Sequence, residues 1–285
     1  MNIVALSDLH LSKKPWQVRK AFAMAGDAEL VLLAGDLAND GTPEQLELMR
    51  QCICDILPDT PVLAVTGNHD YPRLPSPMLG TLDYPAFQRW LLKRQSYPYI
   101  LDNSGAYAVR VGDIEVIGLN CAWHWRRFKF AEGAQLRWLE SHLNISDAAR
   151  HIILCHAPLC AHNPKGSGLK PYLSRDEQLQ KILDAHTDII FISGHTHISM
   201  EHPRCIDCDI KRGNLYINAG SIRPTTVLND DGKAEAESAD GNIVRLEVEK
   251  HYAEIVPVSI RNGSIIKRCI YRTDGSREEE EQFKR

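Results

Sequence analysis

The chain has 285 residues, of which 44% are hydrophobic, and its formal net charge is −4 with an isoelectric point near 6.3. This composition can fill one large core, so we expect a single domain over residues 1–274 and a charged, flexible tail over 275–285. The mildly acidic balance excludes a general electrostatic attraction to nucleic acid or to an anionic membrane. Without a signal peptide or a bilayer-length apolar run, we expect a cytoplasmic protein with no membrane partner.

Five short apolar runs occur between residues 3 and 192, and polar residues follow each run directly. Such runs are typical of buried parallel strands, whose carboxyl ends lie at one edge of a sheet. We therefore expect these polar side chains to converge on one site. The runs and the residues that follow them are 3–6 with Asp8 and His10, 30–33 with Gly35 and Asp36, 62–65 with Asn68, His69 and Asp70, 152–154 with His156, and 189–192 with Gly194, His195 and His197.

Helical spacing separates the first strands, as the crossover connections of a parallel sheet require. One helix is predicted over residues 13–25, and a second over 43–57. Thr42 and Gln45 form a capping box at the start of the second helix, with proline at its first position.

Several prolines then interrupt residues 71–98, where we expect a loop with one short helix at 86–93. This loop could form a wall of a substrate pocket, but a tolerated surface insertion explains it equally well.

The pattern becomes partly antiparallel after residue 106. Residues 107–111 and 114–119 predict a hairpin. Aromatic residues alternate with arginines over 123–128, where packing over a loop is favoured over stacking on a base or gripping a phosphate. The remaining predictions are helices at 132–143 and 176–185, a Gly/Pro-rich loop at 158–174, an acidic loop at 230–240, and strands at 215–218, 243–248, 252–258 and 265–271.

Eight cysteines in a chain without a secretion signal indicate free thiols rather than a disulfide framework. Cys205 and Cys208 form a single C-x-x-C motif. A redox pair and half of a zinc site are alternatives, but a second such motif is missing, so we favour an ordinary loop.

The residues after the five runs form a set of possible metal ligands. Carboxylate or amide oxygens and four imidazoles together exceed what one ion needs and suit two ions that share a carboxylate. Oxygen and nitrogen ligands without thiolate favour Mn, Fe or Zn, because Mg and Ca rarely recruit four histidines. The set is Asp8, His10, Asp36, Asn68, His156, His195 and His197.

In order and content, the motifs D-x-H, GD, GNHD, H and GHTH resemble those of the calcineurin-like metallophosphoesterase superfamily. The resemblance implies two divalent ions, one held by Asp8, His10 and His197 and the other by Asn68, His156 and His195, with Asp36 bridging both. It also implies that His69 contacts the phosphate and protonates the leaving oxygen, that Asp70 orients His69, and that 218–221 support the site. The expected fold is a four-layer α/β/β/α sandwich of two mixed sheets flanked by helices, because crossover units precede antiparallel strands.

The implied activity is hydrolysis of a small phosphomonoester or phosphodiester by a bridging hydroxide, with His69 as general acid and Asn68 beside it. Asn39 and Asp40 replace the Asp and Arg of the GD-x-x-DRG motif of the protein phosphatase branch, and Asp70 replaces its Glu. A phosphoprotein substrate is therefore disfavoured. The small bacterial-type phosphoesterases, which include cyclic-nucleotide phosphodiesterases, match better.

Two other functions stay open, a metal-dependent nuclease and a scaffold of this fold that has lost its metals. The complete ligand set favours an enzyme. A nucleic-acid partner and an obligate protein partner are not expected. Loop residues that could contact the substrate are Tyr71, Arg73, His124, Arg126, His162 and Asn163. His162 is favoured because its Gly/Pro-rich loop follows His156 and could close over a phosphate.

Overall fold

The computed structural model describes residues 1–70, 84–124, 127–129, 133–169, 173–229, 233–237, 240–274 and 276–281. The helices in these ranges are α1 (Trp16–Met24), α2 (Pro43–Ile56), α3 (Tyr84–Arg94), α4 (Ala134–Leu143) and α5 (Asp176–Asp184). The strands are β1 (Asn2–Leu6), β2 (Leu30–Leu33), β3 (Val62–Ala64), β4 (Tyr99–Leu101), β5 (Tyr107–Val111), β6 (Ile114–Leu119), β7 (Ala122–His124), β8 (Arg127–Lys129), β9 (Arg150–Cys155), β10 (Ile189–Ser193), β11 (Ile206–Asp209), β12 (Asn214–Asn218), β13 (Thr226–Leu228), β14 (Ala234–Glu237), β15 (Asn242–Val248), β16 (Tyr252–Ser259), β17 (Lys267–Arg272) and β18 (Arg277–Glu281).

The first sheet has the strand order β18-β17-β16-β15-β1-β2-β3. Strands β1, β2 and β3 are parallel, as their apolar runs predict, and β15 to β18 extend the sheet as an antiparallel meander. Strand β1 is covered on both faces, because Ile3 and Val4 point to opposite sides and both are fully buried. The continuous apolar run at 3–6 is the consequence of this burial.

The second sheet has the strand order β11-β12-β10-β9-β6-β5-β4. Its central strands β6, β9, β10 and β12 are parallel, and antiparallel strands form both of its edges. The hairpin predicted at 107–119 is present as β5 and β6.

The two sheets pack face to face through one apolar core, which includes Leu32 and Ile190. Helices α1, α2 and α3 cover the outer face of the first sheet, where Phe22 and Phe87 are buried. Helices α4 and α5 cover the second sheet with Leu139 and Leu179. The predicted four-layer α/β/β/α sandwich is therefore confirmed.

The loops that carry the candidate ligands are joined to one another by backbone hydrogen bonds. Asp8 donates to the carbonyl of Gly35 at 3.1 Å in the first sheet, and Gly194 donates to the carbonyl of His156 at 3.0 Å in the second. These bonds hold the carboxyl ends of neighbouring parallel strands in register. The candidate ligands that follow the strands of one sheet are therefore held close to one another.

The start of α2 follows the predicted cap with one difference. The side chain of Thr42 accepts a hydrogen bond from the backbone N–H of Gln45 at 3.3 Å, as predicted. The side chain of Gln45 accepts from the backbone N–H of Asp40 at 2.9 Å instead of returning to Thr42. The cap thereby also ties down the segment that follows Asp36.

Three predicted irregular segments contain strands, and those predictions are wrong in part. Within the predicted acidic loop at 230–240, β14 pairs with β13 through their backbones. The predicted frayed tail contains β18, which pairs with β17. Arginine compensates its acidic side chains, because Nη1 of Arg272 lies 2.7 Å from Oε1 of Glu278. In the aromatic and arginine segment, β7 pairs with β8, and residues 125 and 126 lie outside the described residues.

The C-x-x-C segment is also not the ordinary loop that we expected. Cys205 ends a short 3₁₀ helix, and Cys208 lies on the edge strand β11. Ile206 and Cys208 both face the core between the sheets, as alternate residues of a strand do. The strand has only four residues, which is too short for this alternation to be recognised in the sequence. The cysteines are free thiols, as predicted. Among the described helices, none combines the length and apolarity needed to cross a bilayer.

Candidate metal centre

The predicted ligands have unusual backbone conformations. Of the seven non-glycine residues with positive φ in the described ranges, five are predicted ligands. A positive φ is uncommon outside glycine, and such conformations are concentrated at functional sites. Packing around these loops therefore holds the ligands in conformations that the isolated chain avoids. The five are Asp8, His10, Asp36, His195 and His197.

The carboxylate of Asp8 is fully buried and connects the two sheets. Its Oδ2 accepts a hydrogen bond from the backbone N–H of His195 at 2.9 Å, and its Oδ1 lies 2.9 Å from Nε2 of His197. Burial alone would raise the pKa of Asp8, but the charge and the hydrogen bond of His197 hold it well below its usual range. Asp8 is therefore ionised at neutral pH, as a metal ligand requires.

His10 and His197 face each other across the same carboxylate. Their Nε2 atoms are 3.1 Å apart, and Nε2 of His10 lies 3.9 Å from Oδ1 of Asp8. Burial lowers the pKa of His10 to about 4, so its ring is neutral and has a free lone pair at neutral pH. One ligand atom from each of Asp8, His10, Asp36 and His197 lies within 4.8 Å of the others. We call these four residues the first centre.

Asp36 lies between two groups of histidines. Its Oδ2 is 3.8 Å from Nε2 of His10 and 3.5 Å from Nε2 of His156. Its Oδ1 accepts a hydrogen bond from the backbone N–H of His69 at 2.8 Å. One carboxylate oxygen therefore faces an imidazole of the first centre and an imidazole on the other side.

We call Asp36, Asn68, His156 and His195 the second centre. Nδ1 of His156 donates to the carbonyl of Ala34 at 2.7 Å, which turns Nε2 toward Asp36. The ring centroids of His156 and His195 are 5.4 Å apart. Burial lowers the pKa of His156, but the Asp36 carboxylate outweighs it and the pKa is raised to about 10. Burial lowers the pKa of His195 to about 3.

Asn68 provides an independent indication of a ligand site. Its Oδ1 is buried and has no hydrogen-bond partner among the residues that the structure describes. A buried polar atom without a partner costs free energy, and native structures rarely contain one without a compensating ligand. An unpartnered amide oxygen and the Asp and His side chains of both centres are ligands that suit the predicted divalent metals.

His69 and Asp70 have different surroundings. Nδ1 of His69 donates to the carbonyl of Asn39 at 2.8 Å, and its ring lies edge-on to His10 at a centroid distance of 4.5 Å. The two carboxylate oxygens of Asp70 accept from the backbone N–H groups of Ala38 and Gly67, at 2.8 and 2.7 Å. Asp70 thus joins the loops after β2 and β3, and Asn39 supplies the contact that orients the His69 ring.

Two motif glycines let the backbone of their loops approach the carboxylates of Asp8 and Asp36 closely. A Cβ on Gly194 would overlap Oγ of Ser7 and would come within 2.6 Å of Oδ2 of Asp8. A Cβ on Gly67 would overlap Oδ1 of Asp36. Glycine is needed at both positions because any side chain would displace a ligand.

The segment after β12 supports the loops, as predicted for residues 218–221. Asn218 donates from Nδ2 to the carbonyl of Gly194 at 2.6 Å and accepts from the hydroxyl of Thr196. The hydroxyl of Ser221 donates to the carbonyl of Asp8 at 3.1 Å. Arg223, which the sequence did not single out, donates to the carbonyl of His10 at 2.6 Å.

The two predicted substrate contacts that can be examined have structural partners instead. The ring of His162 stacks on Tyr216 at a centroid distance of 3.7 Å, and its Nδ1 lies 2.9 Å from Oδ2 of Asp207. These contacts fix the ring of His162 and do not support a loop free to close over a phosphate, and a contact of His162 with the substrate stays a prediction. Asn163 is fully buried and donates to the carbonyl of Leu159. Tyr71, Arg73 and Arg126 lie outside the described residues, as does the side chain of His124.

Lys165 lies on the same loop. Desolvation of its ammonium lowers its pKa, and the charge of Asp8 raises it. The charge of Lys165 in turn contributes to the lowered pKa of His195. Its only sequence signal is a cation on the loop that follows His156.

Comparisons with known proteins agree with this geometry. Residues 1–233 match the family model of the calcineurin-like phosphoesterase superfamily domain. A probable cyclic nucleotide phosphodiesterase of Synechococcus sp. is 26% identical over 220 residues, which cover 68% of this chain and 76% of the relative.

Two solved structures show the same fold. The structure of PhoD superposes with a TM-score of 0.65 and 12% sequence identity, and the match covers 100% of this chain and 72% of PhoD. Purple acid phosphatase PPD1 from seeds of yellow lupin (Lupinus luteus) superposes with a TM-score of 0.58 and 16% identity, covering 95% of this chain and 53% of the phosphatase. At these identities the likeness extends to the fold alone.

Proposed function

The chain belongs to the calcineurin-like phosphoesterase superfamily and is a hydrolase of phosphate esters, and we propose that it cleaves a small phosphodiester with two divalent metal ions. The observation that carries this proposal is the position of Asp36. One of its carboxylate oxygens lies 3.8 Å from Nε2 of His10 and 3.5 Å from Nε2 of His156. A carboxylate shared by two sets of histidines is the arrangement that a dinuclear site needs.

The first centre holds one ion through Asp8, His10 and His197, and the second holds the other through Asn68, His156 and His195. When bound, two such ions activate a water molecule and neutralise charge on the phosphoryl oxygens. Mn, Fe and Zn suit this set, because it combines imidazoles with carboxylate and amide oxygens and contains no thiolate.

His69 is the proton donor in this proposal. Its Nδ1–H is used in the hydrogen bond to the carbonyl of Asn39, so the transferred proton lies on Nε2 of the protonated ring. The hydrogen bond from its backbone N–H to Asp36 places His69 beside the bridging carboxylate. A donor at this position can protonate the leaving oxygen of an ester.

A relative with a described activity supports a phosphodiester as the substrate class. The similar protein from Synechococcus sp. is described as a probable cyclic nucleotide phosphodiesterase, so cyclic nucleotides are the first diesters to test. The nuclease and the metal-free scaffold remain open. Strongly salt-dependent binding to DNA or RNA would support the nuclease, and a protein that binds no metal after reconstitution would support the scaffold.

The test is hydrolysis of bis-p-nitrophenyl phosphate, p-nitrophenyl phosphate and 3′,5′-cyclic AMP by protein stripped of metal and reloaded with Mn²⁺. We expect metal-dependent turnover that favours the diesters. Asp36→Asn should lose about a hundredfold or more in kcat, because even residues behind metal ligands contribute 10- to 100-fold. Asp55→Asn is the matched control, since Asp55 forms only an exposed ion pair with Arg19. Equal activity of wild type and Asp36→Asn would contradict the proposed site, and preference for the monoester would contradict the substrate class.

A further inference from the structure

A backbone peptide group accepts the hydrogen bond from the ring of His69. Nδ1–H of the ring donates to the carbonyl of Asn39 at 2.8 Å. The side chain of Asn39 is used elsewhere, because its Nδ2 donates to Oδ2 of Asp40 at 2.9 Å. The direction of the His69 ring is therefore tied to the peptide group that joins Asn39 to Asp40.

That peptide group has a second hydrogen bond at its opposite end. The carbonyl of Asn39 and the N–H of Asp40 belong to the same unit, which is planar, and in a trans unit they point in opposite directions. The N–H of Asp40 donates to Oε1 of Gln45 at 2.9 Å. One chain of hydrogen bonds thus runs from Nδ1 of His69 through the peptide group to the side chain of Gln45.

The amide of Gln45 is itself held in place. Its Nε2 donates to Oδ2 of Asp40 at 3.1 Å, so the amide oxygen is the atom that faces the N–H of Asp40. The backbone N–H of Gln45 donates to the hydroxyl oxygen of Thr42 at 3.3 Å, at the start of α2. The residue is half-buried. Gln45 therefore offers the loop an acceptor that is fixed to a helix.

The chain before this peptide group is held independently of Gln45. The N–H of Asn39 donates to the carbonyl of Leu11 at 3.0 Å, and the N–H of Ala38 donates to Oδ1 of Asp70 at 2.8 Å. These bonds fix the loop up to Asn39. Loss of the Gln45 side chain should therefore let the next peptide group rotate without releasing the loop that carries Asp36.

Such a rotation would affect the proton donor. A hydrogen bond to the N–H of a peptide group polarises its carbonyl, so Gln45 makes the oxygen of Asn39 a stronger acceptor for His69. A general acid must lie within hydrogen-bond reach of the leaving oxygen, and small displacements reduce the rate by large factors. Because Nδ1 of His69 is bound to Asn39, the ring presents Nε2 to the substrate.

We propose that Gln45 is a positioning residue for the general acid, and that it acts on His69 through the peptide group between Asn39 and Asp40. This inference rests on the proposed function for the role of His69. In the assisted step a proton passes from Nε2 of His69 to the oxygen whose bond to phosphorus breaks. The products of this transfer are a neutral imidazole and an alcohol. Gln45 contributes to this step and not to metal binding.

The test compares two diesters with different leaving groups on Mn²⁺-loaded protein. Cyclic AMP releases a ribose oxygen, which needs a proton, whereas bis-p-nitrophenyl phosphate releases p-nitrophenolate, which is stable as an anion. Gln45→Ala should lower kcat for 3′,5′-cyclic AMP about tenfold or more, and kcat for bis-p-nitrophenyl phosphate by less than about threefold, because only the first reaction depends on general acid catalysis. Alanine favours a helix, and Thr42 still caps α2, so the fold should be kept.

Two further variants are the controls. Gln51→Ala removes the same side chain from an exposed position of α2 and should match wild type on both diesters. The double variant Asp40→Asn/Gln45→Glu exchanges the acid and the amide, so the N–H of residue 40 keeps an acceptor and no two carboxylates face each other. This variant should restore kcat for cyclic AMP to within about threefold of wild type. A double variant as slow as Gln45→Ala would contradict the route through the peptide group.

A second readout does not depend on activity. In protein labelled with ¹⁵N-histidine and loaded with Zn²⁺, which is diamagnetic, the Nδ1 proton of His69 is assigned by its absence from the spectrum of His69→Gln. We expect this proton to exchange with water about tenfold or more faster in Gln45→Ala than in wild type, because a weakened hydrogen bond opens more often. Gln51→Ala should exchange as wild type does.

The outcomes distinguish failure of this inference from failure of the proposed function. Equal changes of kcat for the two diesters, or an unchanged exchange rate, would overturn the role of Gln45 and leave the proposed function intact. A wild type that cleaves neither diester would contradict the proposed function. Whenever cyclic AMP is not cleaved, the exchange rate decides the role of Gln45.

Discussion

Asn218 and Asn214 are both buried on β12, but they hold different parts of the molecule. Asn218 binds the loop of His195 and His197 through the carbonyl of Gly194. Asn214 binds the start of β10 and the end of α5, through the N–H of Ile189 and the carbonyl of Leu183. Substitution of each asparagine in turn therefore distinguishes residues that support the site from residues that support only the fold.

We expect Asn218→Ala and Asn214→Ala each to lower the free energy of unfolding by about 1–3 kcal/mol, because each leaves buried polar partners unpaired. Only Asn218→Ala should also weaken Mn²⁺ binding, which calorimetry on the folded proteins would measure. Equal metal affinity in the two variants would show that Asn218 is not needed to position the loop.

A second prediction concerns Gly194 and depends only on steric overlap with neighbouring atoms. Gly194→Ala should prevent metal binding at the first centre, since the new methyl group would overlap Ser7 and press on Asp8. Gly168→Ala adds the same group to a position with no atom within 4 Å and should bind metal normally. Metal content after reconstitution, with circular dichroism as the check on folding, measures the difference. A normal metal content in Gly194→Ala would contradict the geometry of this loop.

At the level of strands, β18 shows how a charged segment becomes part of a sheet. Five residues of β18 pair with β17, and Arg272 compensates the carboxylate of Glu278. Truncation after residue 274 should lower the melting temperature by at least about 2 °C, because the pairing is lost from a chain of this size. The complete chain is the reference. An equal melting temperature of the truncated and the complete protein would mean that β18 is frayed, as its composition suggests.

The strands that lead to the site could be predicted, whereas several others could not. Strands β1, β2 and β10 are covered on both faces, so their sequences are continuous apolar runs. Strands β14 and β18 are rich in glutamate and form only because a neighbouring strand offers backbone partners. That partner is a tertiary contact, which local sequence does not record.

The same distinction applies to site residues. The convergence of the seven candidate ligands could be predicted because each follows an apolar strand within a recognisable motif. The position of the His162 ring depends instead on contacts with two distant residues, Tyr216 and Asp207. Loop composition alone therefore could not predict that the ring of His162 is held in place.

At the scale of the complete fold, the site depends on the packing of one sheet against the other. Asp8 and Asp36 come from the first sheet, whereas His156, His195 and His197 come from the second. The apolar core between the sheets therefore sets the distance between the ligands. Metal binding and folding should be coupled, because ions bound by both sheets stabilise only the packed state.

This coupling predicts a dependence on pH. In the metal-free protein the pKa of His156 is raised to about 10, above the unfolded value of about 6.5. Protonation of His156 thus stabilises the metal-free fold fully below pH 6.5, and this contribution is lost as the pH rises through about 10. Metal ions replace the proton, so the increase in melting temperature on Mn²⁺ loading should be larger at pH 9 than at pH 6.5. An increase that shrinks with pH would contradict the charge assignment of His156.

The central claim is that Asp36 joins two metal centres, and the most direct measurement is the number of ions bound per chain. Protein stripped of metal, reloaded with Mn²⁺ and freed of excess ions would be analysed by mass spectrometry, as wild type and as Asp36→Asn. We expect two ions per chain in the wild type and at most one in the variant, with Asp55→Asn indistinguishable from wild type. A single ion in the wild type, or two ions retained by Asp36→Asn, would contradict the shared carboxylate.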